Sequence, residues 1–347
     1  MSESLPDDRV YPPSREFSLR AHVPNMDAYR ALYRQAQKAP EEFWARLAEE
    51  ELTWFEKWSQ VHRWNPPFAE WFVGGKLNAS YNCLDRHLAA GHGDKTALLW
   101  EGEPGDQRAI SYRELHRAVC RFANLLRSRG YQAGDRAIIY MPMVPELAVA
   151  MLACARLGII HSVVFGGFSA EALKARIQDL EASLVVTADG GWRRGKEIRL
   201  KDAADEALGP CPSVREVIVH RRTGSKVTMQ PGRDHWWQDL EQGVGEDCPA
   251  QSLDAESPLF VLYTSGTTGQ PKGILHTTAG YLLGCLMTMK LVFDLREEDL
   301  YWCTADVGWI TGHSYVVYGP LAAGATSLMY EGAPDHPRFD RWWSIVE

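Results

Sequence analysis

The sequence lacks the closely spaced cysteines on which zinc ribbons and dithiol redox motifs depend. None of its seven cysteines belongs to a C-x-x-C pair, and an odd number scattered along the chain is typical of reduced, mostly buried thiols. They are Cys83, Cys120, Cys154, Cys211, Cys248, Cys285 and Cys303. This pattern excludes a disulfide framework and predicts a cytoplasmic protein.

The chain also lacks targeting segments, long apolar runs and an excess of positive charge. Its N-terminus has neither the apolar core of a signal peptide nor the Arg- and Ser-rich character of a transit peptide. The longest apolar stretch, 137–165, is interrupted by Pro142, Pro145, Glu146 and Arg156, which excludes a membrane span. The net charge of −8 argues against general nucleic-acid binding. We therefore expect a soluble protein with neither nucleic-acid nor membrane partners.

Apolar strands alternate with helices in the middle of the chain. The 347 residues are 45% hydrophobic, enough for a large core. The predicted strands are Arg136–Met141, Ile159–Phe165, Leu184–Ala188 and Val214–His220, and the helices between them are Glu146–Leu157, Ala170–Ala182 and Lys201–Leu208. Because strands with near-continuous apolar character are buried on both faces, the fold class is α/β, with a parallel sheet covered by helices.

The sequence before this region predicts a separate N-terminal part. Apolar residues at helical spacing predict an amphipathic helix from Pro40 to Trp58, with Trp54 and Trp58 packed against a core. A second unit begins near Asn78. We therefore divide the chain into an N-terminal helical and extended region, 1–77, and a larger domain, 78–347.

A loop of small hydroxylated residues lies between two apolar strands, Leu259–Tyr263 and Ile274–His276. Its polar and glycine residues are Thr264, Ser265, Gly266, Thr267, Thr268, Gly269 and Lys272. Glycines let successive amides converge on one anion, while hydroxyls and a lysine donate to phosphate. The loop is not a Walker A motif, because Lys272 lies between Pro271 and Gly273 and a strand follows. A solvated turn without a ligand is the alternative that a glycine-rich loop alone favours.

A basic cluster in an otherwise acidic chain is the second candidate site. Five cations occupy nine positions and are opposed only by Glu197. They are Arg193, Arg194, Lys196, Arg199 and Lys201. Such a cluster is either a focused anion site or a solvated charged face, and composition alone favours the solvated face.

The hydroxyl-rich loop resembles the phosphate-binding signature of the adenylate-forming enzymes, in which a carboxylate attacks the α-phosphate of ATP. Further stretches narrow the resemblance: HSVVFGGFS, ADGGWRRGK, YTSGTTGQPKG, CTADVGWITGHSY and YGPLAAGATSLMYEGAPD. Together these motifs resemble the AMP-forming acetyl-CoA synthetase (acetate–CoA ligase) family. The resemblance extends from about residue 15 to the last residue.

The resemblance implies roles for particular residues. Residues 264–272 would hold the β- and γ-phosphates of Mg·ATP, with Thr264 helping to order the Mg²⁺. The segment Arg193, Arg194, Gly195 and Lys196 would contact the 3′-phosphate ADP end of coenzyme A, and Thr311 and Asp335 would add coenzyme contacts. Trp309, Ile310 and Thr311 would line the acyl pocket. Two positions depart from the family pattern, which often has Val at Ile310 and Asn at Asp335.

The resemblance also implies that the adenylation domain is incomplete. Family members are nearly twice as long, and their C-terminal mobile domain supplies the lysine that activates adenylate formation. Residues 340–347 begin an amphipathic helix without a stop signal, which predicts a chain cut short. We expect an acetate–CoA ligase that uses ATP, Mg²⁺ and coenzyme A, with this portion inactive alone. The alternatives are a propionyl- or other short-chain acyl-CoA synthetase and a non-catalytic remnant that binds nucleotide or coenzyme A.

Overall fold

A computed structural model describes residues 11–264 and 271–347 of the chain. Its helices are α1 (Arg15–Arg20), α2 (Met26–Lys38), α3 (Pro40–Glu51), α4 (Arg86–Ala89), α5 (Tyr112–Ser128), α6 (Pro145–Leu157), α7 (Ala170–Leu180), α8 (Leu200–Leu208), α9 (Trp237–Leu240), α10 (Thr278–Leu291), α11 (Ile310–Gly312), α12 (Gly319–Ala322) and α13 (Arg341–Val346). Two π-helical turns cover Tyr81–Asp85 and His313–Tyr318.

The strands form two main sheets and three small two-stranded pairs. They are β1 (Gln60–Asn65), β2 (Phe68–Val73), β3 (Lys76–Leu77), β4 (Thr96–Gly102), β5 (Gln107–Ser111), β6 (Arg136–Tyr140), β7 (Ile160–Val163), β8 (Leu184–Ala188), β9 (Gly191–Arg193), β10 (Lys196–Ile198), β11 (Glu216–His220), β12 (Asp234–Trp236), β13 (Leu253–Asp254), β14 (Pro258–Thr264), β15 (Lys272–Thr277), β16 (Leu300–Trp302) and β17 (Thr326–Glu331).

The larger sheet has seven strands in the order β12-β11-β8-β6-β7-β14-β15. All neighbours run parallel except β14 and β15, which form an antiparallel hairpin. Every residue of β8 and β11 is buried, because α6 packs on one face of the sheet and α7 and α8 on the other. The predicted α/β class and its parallel, two-sided sheet are confirmed.

Local signals in the sequence explain where the covering helices begin and end. Pro145 occupies the first turn of α6, and Gly158 ends that helix in the left-handed conformation at φ 73°. The Ser169 hydroxyl accepts a hydrogen bond from the Ala172 amide at 3.3 Å and so caps α7. These capped helices fix the loops that follow β6 and β7 at one edge of the sheet.

The smaller sheet has four strands in the order β16-β17-β4-β5. The central strands, β17 and β4, run parallel and come from opposite ends of the described chain. Hydrogen bonds tie this sheet to the rest of the core, from the Trp100 indole to the Met143 carbonyl at 2.8 Å and from the Tyr112 hydroxyl to the Ala325 carbonyl at 2.7 Å. The two sheets therefore form one packed unit.

The N-terminal helix is shorter than the sequence predicts. Helix α3 ends at Glu51 rather than at Trp58. The Thr53 amide donates a hydrogen bond to the Asn82 side-chain oxygen at 2.7 Å instead of to a helical carbonyl, so the helix does not continue. The predicted packing of the two tryptophans is confirmed, since Trp54 and Trp58 lie 5.3 and 4.9 Å from the Phe72 ring. Within residues 11–264 and 271–347, no helix has the length and apolar character required to cross a membrane.

A buried charge network joins the first π-helical turn to α5 and α6. The Arg156 guanidinium donates to both oxygens of Asp85 at 2.7 and 2.8 Å, and the His116 Nε2 lies 3.2 Å from the same carboxylate. Burial alone would raise the pKa of Asp85, but hydrogen bonds from Arg156 and His116 outweigh it and lower the pKa to about 2. The hydrogen bond to Asp85 raises the pKa of His116 to about 9.

This network predicts a stability loss at alkaline pH. Because the folded pKa of His116 is about 9, against an ordinary value of 6.5, its stabilising contribution is complete below pH 6.5. That contribution then disappears as the pH rises through about 9. Urea unfolding from pH 6 to pH 10 should show the free-energy difference between wild type and His116→Gln shrinking toward high pH. His92→Gln, at a half-exposed side chain, is the control. A pH-independent difference for His116→Gln would contradict the assigned pKa.

Candidate functional site

The hairpin of β14 and β15 brings the two ends of the hydroxyl-rich loop together. Thr264 pairs in register with Lys272, and both residues are exposed. Because β14 lies parallel to β7, Thr264 stands at the carboxyl end of the parallel strands, where open α/β sheets bind their ligands. The intervening loop residues Ser265, Gly266, Thr267, Thr268 and Gly269 lie outside the described part of the chain.

A cleft beside Thr264 contains a cation that the sequence did not indicate. Its lining includes Thr264, Tyr263, Trp309 and Arg176 of α7. The Arg176 guanidinium lies 5.5 Å from the Tyr263 ring, and burial lowers the pKa of Arg176. No motif marked Arg176, because its place in an amphipathic helix looks like that of any surface arginine. Two cations of α7, Arg176 and Lys174, therefore line the cleft.

The basic segment folds as a tight hairpin of β9 and β10, in which Arg193 pairs with Lys196. Arg194 and Gly195 form the turn, with φ of 52° and 66°, which is the backbone of a two-residue hairpin turn. Arg194 forms an ion pair with Asp335 at 3.1 Å. The structure thus brings Asp335 beside the consecutive residues Arg193, Arg194, Gly195 and Lys196, although Asp335 lies far from them in the sequence.

A second cleft lies next to this hairpin. Its lining includes Phe165, Gly166, Gly167, Arg193 and Asp306. The Arg193 guanidinium lies 5.5 Å from the Phe165 ring. Burial raises the pKa of Asp306, although the Gly308 amide donates to its carboxylate at 2.7 Å and Arg193 opposes the rise. The turn after β7 therefore forms one wall of the cleft, and sequence reasoning assigned no site role to Phe165 or Asp306.

The segment Trp309, Ile310 and Thr311 lies between the two clefts. All three side chains are exposed, and the Trp309 ring lies 5.8 Å from Phe168 and 6.1 Å from Phe165. A glycine is required at position 312 because a Cβ there would meet the Asp306 carbonyl oxygen at 2.1 Å. Gly308, just before the segment, lies against the turn after β7, because a Cβ there would meet the Phe165 Cα at 2.7 Å. Trp309 lines the cleft beside Thr264 and also lies near Phe165, which lines the cleft beside Arg193.

Two buried histidines support this segment from below. His313 Nδ1 lies 3.1 Å from the Trp309 carbonyl, and His161 Nε2 lies 3.1 Å from the Tyr318 hydroxyl. Burial lowers the pKa of His161 and brings that of His313 to about 4, so both rings are neutral at pH 7. We therefore interpret the two histidines as neutral, buried packing residues beneath Trp309, and not as proton donors or acceptors in the reaction.

The described residues contain no ready-made protein site for a metal ion. Across 11–264 and 271–347, no group of three or more His, Cys, Asp or Glu side chains is arranged to hold one. Magnesium is usually bound through few protein groups together with substrate phosphates and water.

Comparisons with known proteins match both parts of the chain. Residues 85–347 match the family described as AMP-binding enzyme, and residues 29–83 match the acetyl-coenzyme A synthetase N-terminus. The chain is 54% identical to acetyl-coenzyme A synthetase of Rubrobacter xylanophilus over 348 residues, covering 100% of this chain and 53% of the relative. It is 55% identical over 349 residues to the Rhodopirellula baltica protein of the same name, covering 99% of this chain and 52% of the relative.

Two statements about the class of protein follow. The mostly parallel α/β sheet accompanies a match to the AMP-binding enzyme family over residues 85–347. The chain belongs to the AMP-binding enzyme family, and its similarity within that family is to acetyl-coenzyme A synthetases. The chain spans about half the length of the curated relatives it matches.

Proposed function

We propose that the chain is the N-terminal portion of an acetate–CoA ligase. The reaction converts acetate, ATP and coenzyme A to acetyl-CoA, AMP and diphosphate through acetyl-adenylate. One observation carries the proposal: Trp309, which lines the cleft at Thr264, packs near Phe165, and the Phe165 ring lies 5.5 Å from the Arg193 guanidinium of the basic hairpin. The names of the relatives support the same assignment, and we place the reaction in the cytoplasm.

In the first half-reaction, the protein's task is to neutralise and orient the triphosphate. Lys272 supplies positive charge, while Thr264 and the amides and hydroxyls of the loop donate hydrogen bonds to the β- and γ-phosphates. The Thr264 hydroxyl would help to hold a magnesium ion that accompanies the triphosphate and would add positive charge there. Acetate lies against Trp309, Ile310 and Thr311, so that its carboxylate faces the α-phosphate.

In the second half-reaction, coenzyme A approaches from the basic hairpin. Arg193 and Lys196 contact the phosphates of its 3′-phosphate ADP end. The pantetheine arm passes along the cleft beside Phe165 toward Thr311, where the thiol attacks the adenylate. Arg193 and Asp306 place polar groups in the wall of this cleft, beside the path of the pantetheine arm.

The division of labour along the chain is part of the proposal. Residues 1–77 form the N-terminal region, and residues 78–347 belong to the AMP-binding domain. The family resemblance implies that a lysine in the C-terminal domain of the full-length enzyme activates adenylate formation. Acetate-dependent exchange of labelled pyrophosphate into ATP tests the proposal. We expect exchange with the full-length enzyme and none with the 347-residue chain. A full-length enzyme that binds ATP but exchanges nothing would favour the non-catalytic alternative.

Removing Arg193 should weaken coenzyme A alone. In the full-length enzyme, Arg193→Ala should raise the KM for coenzyme A by about tenfold or more, since a charge-assisted contact contributes roughly 1.5–3 kcal/mol. Pyrophosphate exchange should stay nearly unchanged, because Arg193 and Thr264 line different clefts. Arg46→Ala, on the exposed face of α3, is the control. Equal damage to both half-reactions would instead indicate a role in folding.

Shortening Ile310 should change the preference among acids. If Ile310 contacts the acyl group, Ile310→Val widens the pocket by about one methylene, which is worth roughly 1–3 kcal/mol of discrimination. The kcat/KM for propionate relative to acetate should therefore rise. Ile274→Val, at an exposed position of β15, provides a matched control. An unchanged ratio for Ile310→Val would place this side chain outside the pocket.

A further inference from the structure

The Glu103 carboxylate is hydrogen-bonded to the tip of the basic hairpin. Glu103 follows β4 in the turn that leads to β5. One of its oxygens accepts hydrogen bonds from the Arg194 amide at 2.9 Å and the Ala333 amide at 2.8 Å. The other oxygen accepts a hydrogen bond from the Gly195 amide at 2.7 Å. Three backbone amides from two distant segments thus converge on one carboxylate.

The backbone of the hairpin turn explains why these amides converge. Arg194 and Gly195 have φ of 52° and 66°, so their N–H groups point toward the same side of the turn. Such turns form concave sites in which successive amides bind an anion, often a phosphate. Here the anion is a carboxylate of the protein itself. The concave side of the turn is therefore already occupied before any ligand arrives.

Further contacts attach the same hairpin to the chain after β17. The Asp335 carboxylate accepts hydrogen bonds from the Arg194 side chain at 3.1 and 3.2 Å. A Cβ on Gly195 would meet the His336 imidazole at 2.8 Å, so the turn packs directly on that ring. At the base of the hairpin, the buried Glu331 carboxylate accepts the Trp192 amide at 3.1 Å. Acidic side chains thus hold the hairpin at its base and at its tip.

These contacts separate the basic residues into two groups. The Arg194 side chain is paired with Asp335, whereas Arg193 lies over the Phe165 ring beside the cleft. Lys196 is exposed, opposite Arg193 in the hairpin register. Arg194 therefore has a carboxylate partner within the protein, while the charges of Arg193 and Lys196 face the cleft and solvent.

We propose that Glu103 is a positioning residue for the coenzyme end of the site. By filling the concave side of the turn, it fixes the hairpin and directs an incoming phosphate to the side chains of Arg193 and Lys196. Arg194 and Asp335 belong to the same scaffold and do not contact the ligand. The choice of coenzyme A as ligand rests on the proposed function, whereas the positioning of the hairpin does not.

Hydrogen–deuterium exchange of the 347-residue chain tests the positioning without any ligand. Glu103→Ala should accelerate exchange about tenfold or more in peptides that contain Arg194, Gly195 and Ala333, and leave the peptides of β8 and β11 unchanged. Glu103→Gln keeps one oxygen acceptor, so its exchange rates in these peptides should lie between those of wild type and Glu103→Ala. Glu50→Ala, a change at an exposed glutamate of α3, is the control. Unaltered exchange around Arg194 in Glu103→Ala would overturn the proposal, and so would a general loss of protection in both Glu103 variants.

Calorimetric binding of coenzyme A and of dephospho-coenzyme A, which lacks the 3′-phosphate, tests the consequence for ligand binding. We expect the preference for coenzyme A to fall about tenfold in Arg193→Ala, to fall by a smaller factor in Glu103→Ala, and to stay near that of wild type in Arg194→Ala. Loss of the preference in Arg194→Ala equal to that in Arg193→Ala would overturn the assignment of Arg194 to the scaffold. Accelerated exchange in Glu103→Ala, together with no preference in wild type, would uphold the positioning role and reject coenzyme A as the ligand.

Discussion

Lys272→Ala slows acetate-dependent pyrophosphate exchange by the full-length enzyme about tenfold to hundredfold, if the proposed function is correct. Lys272 is exposed and paired with Thr264 across the two ends of the loop, so its ammonium group is free to reach the triphosphate. Loss of one charge-assisted contact to a phosphate removes roughly 1.5–3 kcal/mol of transition-state stabilisation. The rate of exchange with saturating acetate and ATP is the measurement.

Two further variants make this result interpretable. Lys272→Arg keeps the charge and should recover part of the rate, although a guanidinium differs in shape from an ammonium. Lys38→Ala removes a lysine from the end of α2, outside the proposed site, and should have no effect. Exchange at the wild-type rate in Lys272→Ala would refute the assignment of this loop to the triphosphate.

Arg156→Leu lowers the free energy of unfolding by about 3–5 kcal/mol, as expected when one partner of a buried ion pair is removed. The Arg156 side chain is 2% exposed and donates to Asp85, and its Nε also donates to the Cys248 carbonyl at 2.5 Å. Leucine leaves the Asp85 carboxylate buried with only His116 as a charged partner. Urea unfolding at pH 7 measures the change.

An exposed ion pair supplies the matched control. Arg113 and Asp94 are 3.0 Å apart with side chains 45% and 90% exposed, so Arg113→Leu should cost less than about 1 kcal/mol. The double variant Arg156→Leu/Asp85→Leu should recover part of the lost stability, because no unpaired charge then remains buried. If Arg156→Leu and Arg113→Leu lowered the free energy of unfolding equally, burial of the Arg156–Asp85 pair would not account for the expected loss of stability.

The parallel sheet and the hairpin around the loop were predictable from local sequence. Strand β8 is observed with its predicted bounds, Leu184–Ala188, because five consecutive residues without charge suit a strand buried on both faces. Pro145 and Gly158 mark the ends of α6 by restrictions on their own backbones. The bounds of β8 and α6 depend on a few neighbouring residues, so the sequence alone is sufficient to predict them.

The features that the sequence did not indicate depend on partners far apart in the chain. Glu103 lies in a polar turn and looks like a solvated surface residue until the Arg194 and Ala333 amides are placed beside it. Helix α3 ends at Glu51 because of Asn82, a residue outside the helical pattern. Asp335 was predicted to contact coenzyme A, a role that nothing yet tests, and its pairing with Arg194 favours the scaffold role proposed above.

The pairing of β4 with β17 has a consequence for biosynthesis. Strand β4 is central in the smaller sheet, yet its parallel neighbour β17 follows the whole seven-stranded sheet in the chain. A ribosome adding about 5–20 residues per second delivers β17 roughly ten to forty-five seconds after β4. During that interval the apolar edge of β4 has only β5 as a partner, and the larger sheet can form first. The nascent chain therefore passes through a stage at which a chaperone can shield β4 from pairing with another molecule.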